Sequence, residues 1–171
     1  MPALPLQTSV LDDLAFQADD GSQQHMLHPE SPRRAEAELA WAAVLGQRRL
    51  YASEEIPAPW ELHQPVRAAS LALEASGQQA AARDEYGRCV RAGYRVEGSG
   101  EPGSPRISVR IPDAWTAIGH DDRRESGELA EFCSQNLTLC ALALDAHGWK
   151  CRVTDRGYAS GSFIIATPRR A

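Results

Sequence analysis

The feature that most constrains the fold is a layout that occurs twice between residues 64 and 168: helix, glycine, aromatic, strand, glycine-rich loop, strand, proline. In the first copy the helix is expected to end at Gly93; Tyr94 follows, YRVE reads as a strand, GSGEPGSP as a loop, and RISVRI leads to Pro112. In the second the helix ends at Gly148; Trp149 follows, KCRVT is a strand, DRGYASG a loop, and SFIIAT leads to Pro168. Each glycine stands where a helix needs a left-handed residue to stop, and the aromatic after it can fold back on the last turn. The two copies agree in layout and hardly in sequence, so an ordinary α+β assembly accounts for them without shared ancestry.

Two helix-plus-hairpin units predict an α+β fold: a helix-hairpin-helix-hairpin core whose four antiparallel strands form one sheet with helices on one face. RISVRI alternates Ile107, Val109 and Ile111 inward with Arg106, Ser108 and Arg110 outward, as a strand with one solvated face does. SFIIAT is uniformly apolar and belongs at the sheet centre. GSGEPGSP at 98–105 is read as a hairpin loop and not a linker, because a piece starting at residue 106 would be marginal alone. The chain therefore divides into a weakly structured segment, 1–31, and a single α+β domain, 32–171.

Upstream, TSVLDDLAF predicts a short helix with Thr8 or Ser9 as cap. Ser31 and Pro32 open a helix running to Leu50, with Leu39, Ala42, Ala43 and Leu50 at helical spacing and Trp41, Val44 and Leu45 widening the apolar face. Ser53–Pro65 carries three prolines and reads as a surface connection. Val66 to Arg91 has helical propensity, broken at Gly77. Asp113 caps a short turn, and the last long helix begins near Ser126.

Composition sets bounds. Of 171 residues 43% are hydrophobic and 24% charged, ordinary globular usage. The net charge of -5 and pI near 5.5 argue against a uniformly basic, phosphate-coating surface but leave local basic contact open. Lys150 is the only lysine among many arginines, a bias that suggests a GC-rich bacterial genome. The longest apolar run, LCALAL, is far below the roughly 20 residues of a membrane span. The N-terminus has neither the basic region nor the apolar core of a secretory signal, so a soluble cytoplasmic protein with reduced thiols is expected.

The long C-terminal helix carries the first candidate site. At 100° per residue Leu129, Phe132, Cys133, Leu137, Cys140, Ala143 and Leu144 share a sector, opposite Glu128, Glu131, Gln135, Thr138 and Asp145. Cys133 and Cys140 are two turns apart, about 10 Å, too far for a disulfide or a shared zinc. Asn136, Cys140 and His147 line up on the apolar side and define a candidate polar pocket between helix and sheet, although His147 also suits the negative helix end. A zinc site from Cys140, His147 and Cys151 lacks any ligand signature.

No phosphate-cradling glycine motif is present, and no cofactor or metal is expected. His25 and His28 fall in a polar loop, and His120, Asp121 and Asp122 in a charged one whose bland reading is solvent exposure. Trp60, Trp115 and Tyr158, in loops or at element edges, are candidate interface residues together with the outward Arg106 and Arg110. The pairs Arg33/Arg34, Arg48/Arg49, Arg123/Arg124 and Arg169/Arg170 make a basic patch only if they converge.

In coarse layout residues 64 to 168 resemble small bacterial partner-binding proteins such as secretion chaperones and toxin-neutralising immunity proteins; no specific motif carries the resemblance and no residue roles transfer with it. The expected function is a non-enzymatic one, binding another protein. The alternatives are a nucleic-acid-binding accessory or regulator using clustered arginines, and a small-ligand or enzymatic domain around Asn136, Cys140 and His147.

Overall fold

The computed structural model of the chain describes residues 16–24, 30–116, 123–155 and 161–170. Among them the elements run α1 (Glu30–Tyr51), α2 (Pro59–His63), α3 (Pro65–Ala75), β1 (Ala82–Arg83), β2 (Cys89–Arg91), β3 (Gly93–Gly98), β4 (Pro105–Arg110), α4 (Asp113–Thr116), α5 (Arg123–Ala146), β5 (Trp149–Thr154) and β6 (Phe163–Pro168). The N-terminal helix expected over TSVLDDLAF lies outside the described residues.

β3 to β6 form one antiparallel sheet in the order β3-β4-β6-β5, the α+β arrangement that the two hairpins predict. SFIIAT is indeed an inner strand, and GSGEPGSP turns the β3-β4 hairpin, with Gly98 opposite Pro105. Tyr94, Val96, Ile107, Ile164, Ala166 and Trp149 point to one side, where they are buried against Leu71, Leu73, Leu137, Cys140 and Leu144 of α3 and α5. α1 packs in turn on α3 through Ala37, Ala40, Trp41 and Val44. Burying Leu or Ile side chains is worth about 1.5–3 kcal/mol each, so this cluster is the main driving force.

Three expectations give way. The residues after Gly77 are not helical. Gly77, at φ 76°, ends α3 in a Schellman motif: its N–H donates to the Glu74 carbonyl, and the Gln78 N–H to the Leu73 carbonyl, both at 3.0 Å. Beyond it Ala80–Arg91 is drawn into pairing, because the Ala81 N–H donates to the Tyr94 carbonyl and the Tyr94 N–H to the Gln79 carbonyl. Tertiary hydrogen bonding overrides alanine's helix propensity, and a turn centred on Gly87 (φ 81°), with the Asp84 carboxylate accepting the Tyr86 and Arg88 N–H groups, joins β1 to β2.

Gly93 is correspondingly not a helix stop but the first residue of β3. Its backbone needs no left-handed conformation; a Cβ there would lie 2.3 Å from the Gln79 carbonyl oxygen, so glycine permits the 79–81 segment to seal the edge of β3. The Val96 N–H, donating to the Asp20 carbonyl at 2.8 Å, extends that seal. The third correction is Ser53–Pro65, which contains α2 and buries Ala58, Trp60 and Glu61 instead of crossing the surface as irregular chain. Pro59 suits the first helical turn, where its missing N–H costs nothing.

Candidate functional site

Among the described residues the most heavily bonded side chain is Arg48, on the inner face of α1 and fully buried. Its Nε and Nη2 donate to the two carboxylate oxygens of Glu61 at 2.8 and 2.6 Å, and its Nη1 to the carbonyls of Glu54 and His147 at 2.7 Å each. Glu61 Oε2 also accepts the Ala58 N–H at 2.6 Å, holding the start of α2. The Arg48 guanidinium lies 4.9 Å from the Trp41 ring centroid, and that ring meets His147 edge-on at 4.6 Å. Arg48 thus clamps α1, the 54–61 segment and the end of α5. With its donors used or enclosed, Arg48 joins three separate segments and so holds the fold together.

The three residues of the expected pocket each have their own surroundings. Asn136 is half-buried, and its side-chain amide donates to the Phe132 carbonyl of its own helix at 2.9 Å. His147 Nε2 lies 2.8 Å from Ser76 Oγ, whose hydroxyl donates to the Ala72 carbonyl, so the ring nitrogen is the donor in that contact. Burial first and the nearby Arg48 charge second depress the His147 pKa below its ordinary 6.5. Cys140 is packed in the core, and burial pushes its thiol up to about 12, as it does for Cys151, which makes both poor nucleophiles. Among the described residues no three His, Cys, Asp or Glu side chains come together as metal ligands. An open cleft of about 380 Å³ lies between residues 18–20 and the α2-α3 junction, lined in part by Asp20, His63, Arg67 and Ser70; Asn136, Cys140 and His147 are not among its walls.

The interface candidates also separate. Trp60 is only 5% exposed and belongs to the core. Trp115 is exposed on α4, its ring edge-on to Phe132 at 5.7 Å. Tyr158, His25, His28, His120, Asp121 and Asp122, with the side chains of Arg123 and Arg124, lie outside the described residues. Of the arginine pairs, Arg33 is matched by Glu74, Arg34 by Glu38, Arg49 by Glu54, and Arg169 by Asp145.

Convergence occurs elsewhere. On the sheet face opposite α3 and α5, the register brings Arg95, Ser108, Phe163 and Thr154 into one row and Glu97, Arg106, Ile165 and Arg152 into the next. Arg110 lies opposite Gly93 at one end of β4, and Lys150 opposite Thr167 at the other side of the sheet. Five cations therefore share this face, and Glu97 is the one acid at its strand positions. From strand geometry Arg106 and Arg110 stand about 13 Å apart, Arg106 and Arg152 about 10 Å, and Arg152 and Lys150 about 7 Å, a continuous track.

The floor of that track is apolar but shielded. Phe163 and Ile165 are 6% and 7% exposed, and the Arg106 guanidinium sits 4.7 Å over the Phe163 ring centroid. Arg95 Nη1, Arg106 Nε and Ser108 Oγ are themselves buried and have no hydrogen-bond partner, so the outward reach of the face rests on the exposed ends of its cations. Arg95 bonds Glu97 at 3.2 Å, and Arg152 approaches Glu101 at 3.7 Å. Sequence reasoning found Arg106 and Arg110 by their alternation with Ile107 and Val109. The same period-two rule applied to YRVE and KCRVT finds Arg95, Lys150 and Arg152.

Comparison with protein-family models, curated proteins and solved structures finds no match to this chain.

Proposed function

We propose that the protein binds single-stranded nucleic acid across the outer face of the β3-β4-β6-β5 sheet. The observation that carries this is the register, which gathers Arg95, Arg106, Arg110, Lys150 and Arg152 on one face of a chain whose net charge is -5. A cationic, gently twisted sheet tracks a flexible phosphate backbone, whereas a duplex groove calls for a protruding helix or ribbon. Arg106, lying on Phe163, adds a planar cation on which a base can stack.

A protein partner, placed first by sequence, draws less support. Protein interfaces are anchored by exposed aromatics seated in pockets. Here Trp60 and Phe163 are buried, Trp115 is exposed but already set edge-on against Phe132, and the sheet face offers charge without an apolar anchor.

Fluorescence anisotropy with labelled single strands of about ten nucleotides tests the reading. Contacts from about four cations predict a slope of log affinity against log salt near -3, at about 0.7 per phosphate neutralised. Single strands are expected to outcompete duplex of the same length, and Arg106→Glu with Arg152→Glu to weaken binding at least tenfold. Flat titrations at low salt, or undiminished binding by the double variant, would overturn the proposal.

A further inference from the structure

We infer that the outward face of α1 is a self-association surface, on which a second copy of the chain packs its own α1 in the antiparallel sense. α1 buries Ala37, Ala40, Trp41, Val44 and Arg48. A surface helix normally shows polar residues on the opposite side. Diametrically opposite on α1, at 100° per residue, stand Ala35, Leu39, Ala42, Gly46 and Leu50. Leu39 is 68% exposed and Leu50 is 85% exposed. The helix is therefore apolar on two opposed sides, and among the described residues only one of them is packed against the rest of the chain.

Size and charge both specify a second α1 as the occupant. Gly46 is a mid-helix glycine, a residue that weakens a helix relative to alanine, and beyond the helix's own backbone no heavy atom comes within 4 Å of where its Cβ would stand. None of the described residues calls for a glycine there, whereas a second helix crossing closely above it would. Leu39 and Gly46 are equidistant from a midpoint between Ala42 and Ala43, as are Ala35 and Leu50. A twofold axis through that midpoint sets each Leu39 over the other copy's Gly46, and each Ala35 beside the other copy's Leu50. Glu38 and Arg49 lie on one common flank of the stripe, nearly symmetric about the same midpoint, so the axis brings each Glu38 to the other copy's Arg49. Their present partners, Arg34 and Glu54, form exposed pairs that exchange at little cost. A parallel arrangement would carry this flank to the far side of the partner and leave Glu38 and Arg49 unmatched across the axis.

The stripe spans about 22 Å, shorter than a standard interface needs, so dissociation on the order of 10 μM is expected. Sedimentation velocity of the full chain from about 1 to about 200 μM should show a monomer-to-dimer shift. Leu39→Glu and Gly46→Glu, each with unchanged circular dichroism, should remain monomeric throughout. Glu38→Arg and Arg49→Glu should each weaken the dimer several-fold, and the two together should restore it, since the swap re-forms the pair across the axis. A wild-type chain monomeric at every concentration, a dimer indifferent to both stripe variants, or a double swap that stays weak would overturn the inference. None of these readouts involves nucleic acid, so the inference stands or falls apart from the sheet-face reading.

Discussion

Removing the carboxylate of Glu61 is expected to be among the most damaging single changes available in this chain. Arg48 and Glu61 are both fully buried, and Glu61→Ala leaves Arg48 Nε and Nη2 without acceptors and its charge without a counterion. The Ala58 N–H loses its acceptor too. Breaking a buried pair from one side costs about 3–5 kcal/mol, mostly the desolvation of the charge left behind. In a chain of this length that corresponds to a fall in Tm of roughly 6–20 °C. Urea unfolding followed by circular dichroism measures it, with Glu54→Gln as the comparison. Glu54 carries only the exposed Arg49 pair on its side chain, so that change should cost less than about 1 kcal/mol. Arg48→Met with Glu61→Leu should cost less than the sum of the two single changes, because it removes both charges together. A loss under about 1 kcal/mol for Glu61→Ala, or strict additivity in the double variant, would refute the clamp as described.

Further outcomes follow from the same elements. Because the folded-state pKa of His147 lies below its ordinary 6.5, the folded chain binds fewer protons than the unfolded one as pH falls through that region. The His147 contribution is therefore fully present above about pH 6.5 and is lost progressively below it, and His147→Gln should flatten urea stability between about pH 7 and 5; an unchanged pH profile would contradict this. Gly148→Ala combines a left-handed φ of 89° with a Cβ 2.4 Å from the Glu55 carbonyl oxygen, whereas Gly87→Ala meets the same kind of φ, 81°, in open space. The second should cost about 1–2 kcal/mol and the first clearly more, and equal losses in thermal melts would refute the steric argument.

What the sequence made legible was local and periodic. SFIIAT reads as an inner strand because both its faces are apolar, and Phe163–Ala166 is buried on both. Gly148 was recognisable as a helix stop since α5 ends there, with φ 89°. Gly93 carries the same letter for a different reason, the backbone of residues 79–81 pressing on it, and close approach between distant segments leaves no local signature. The alanines after Gly77 likewise have helical propensity, and pairing with Tyr94 takes them. Glu61 sits in a proline-rich stretch that composition reads as solvent-facing; its role depends on Arg48, which nothing but the tertiary structure brings to it. The cationic track was within reach, because alternation identifies outward residues on every strand, and only the order β3-β4-β6-β5 was needed to place them side by side.

The most direct measurement of the sheet-face account is to follow the backbone amide resonances while a single strand of about ten nucleotides is added. The account predicts that resonances of Arg95, Arg106–Arg110, Lys150–Thr154 and Phe163–Ile165 move together and saturably, while those of α1 and α3 stay in place. Shifts centred on the helical side, or none at a concentration where salt is low, would contradict it.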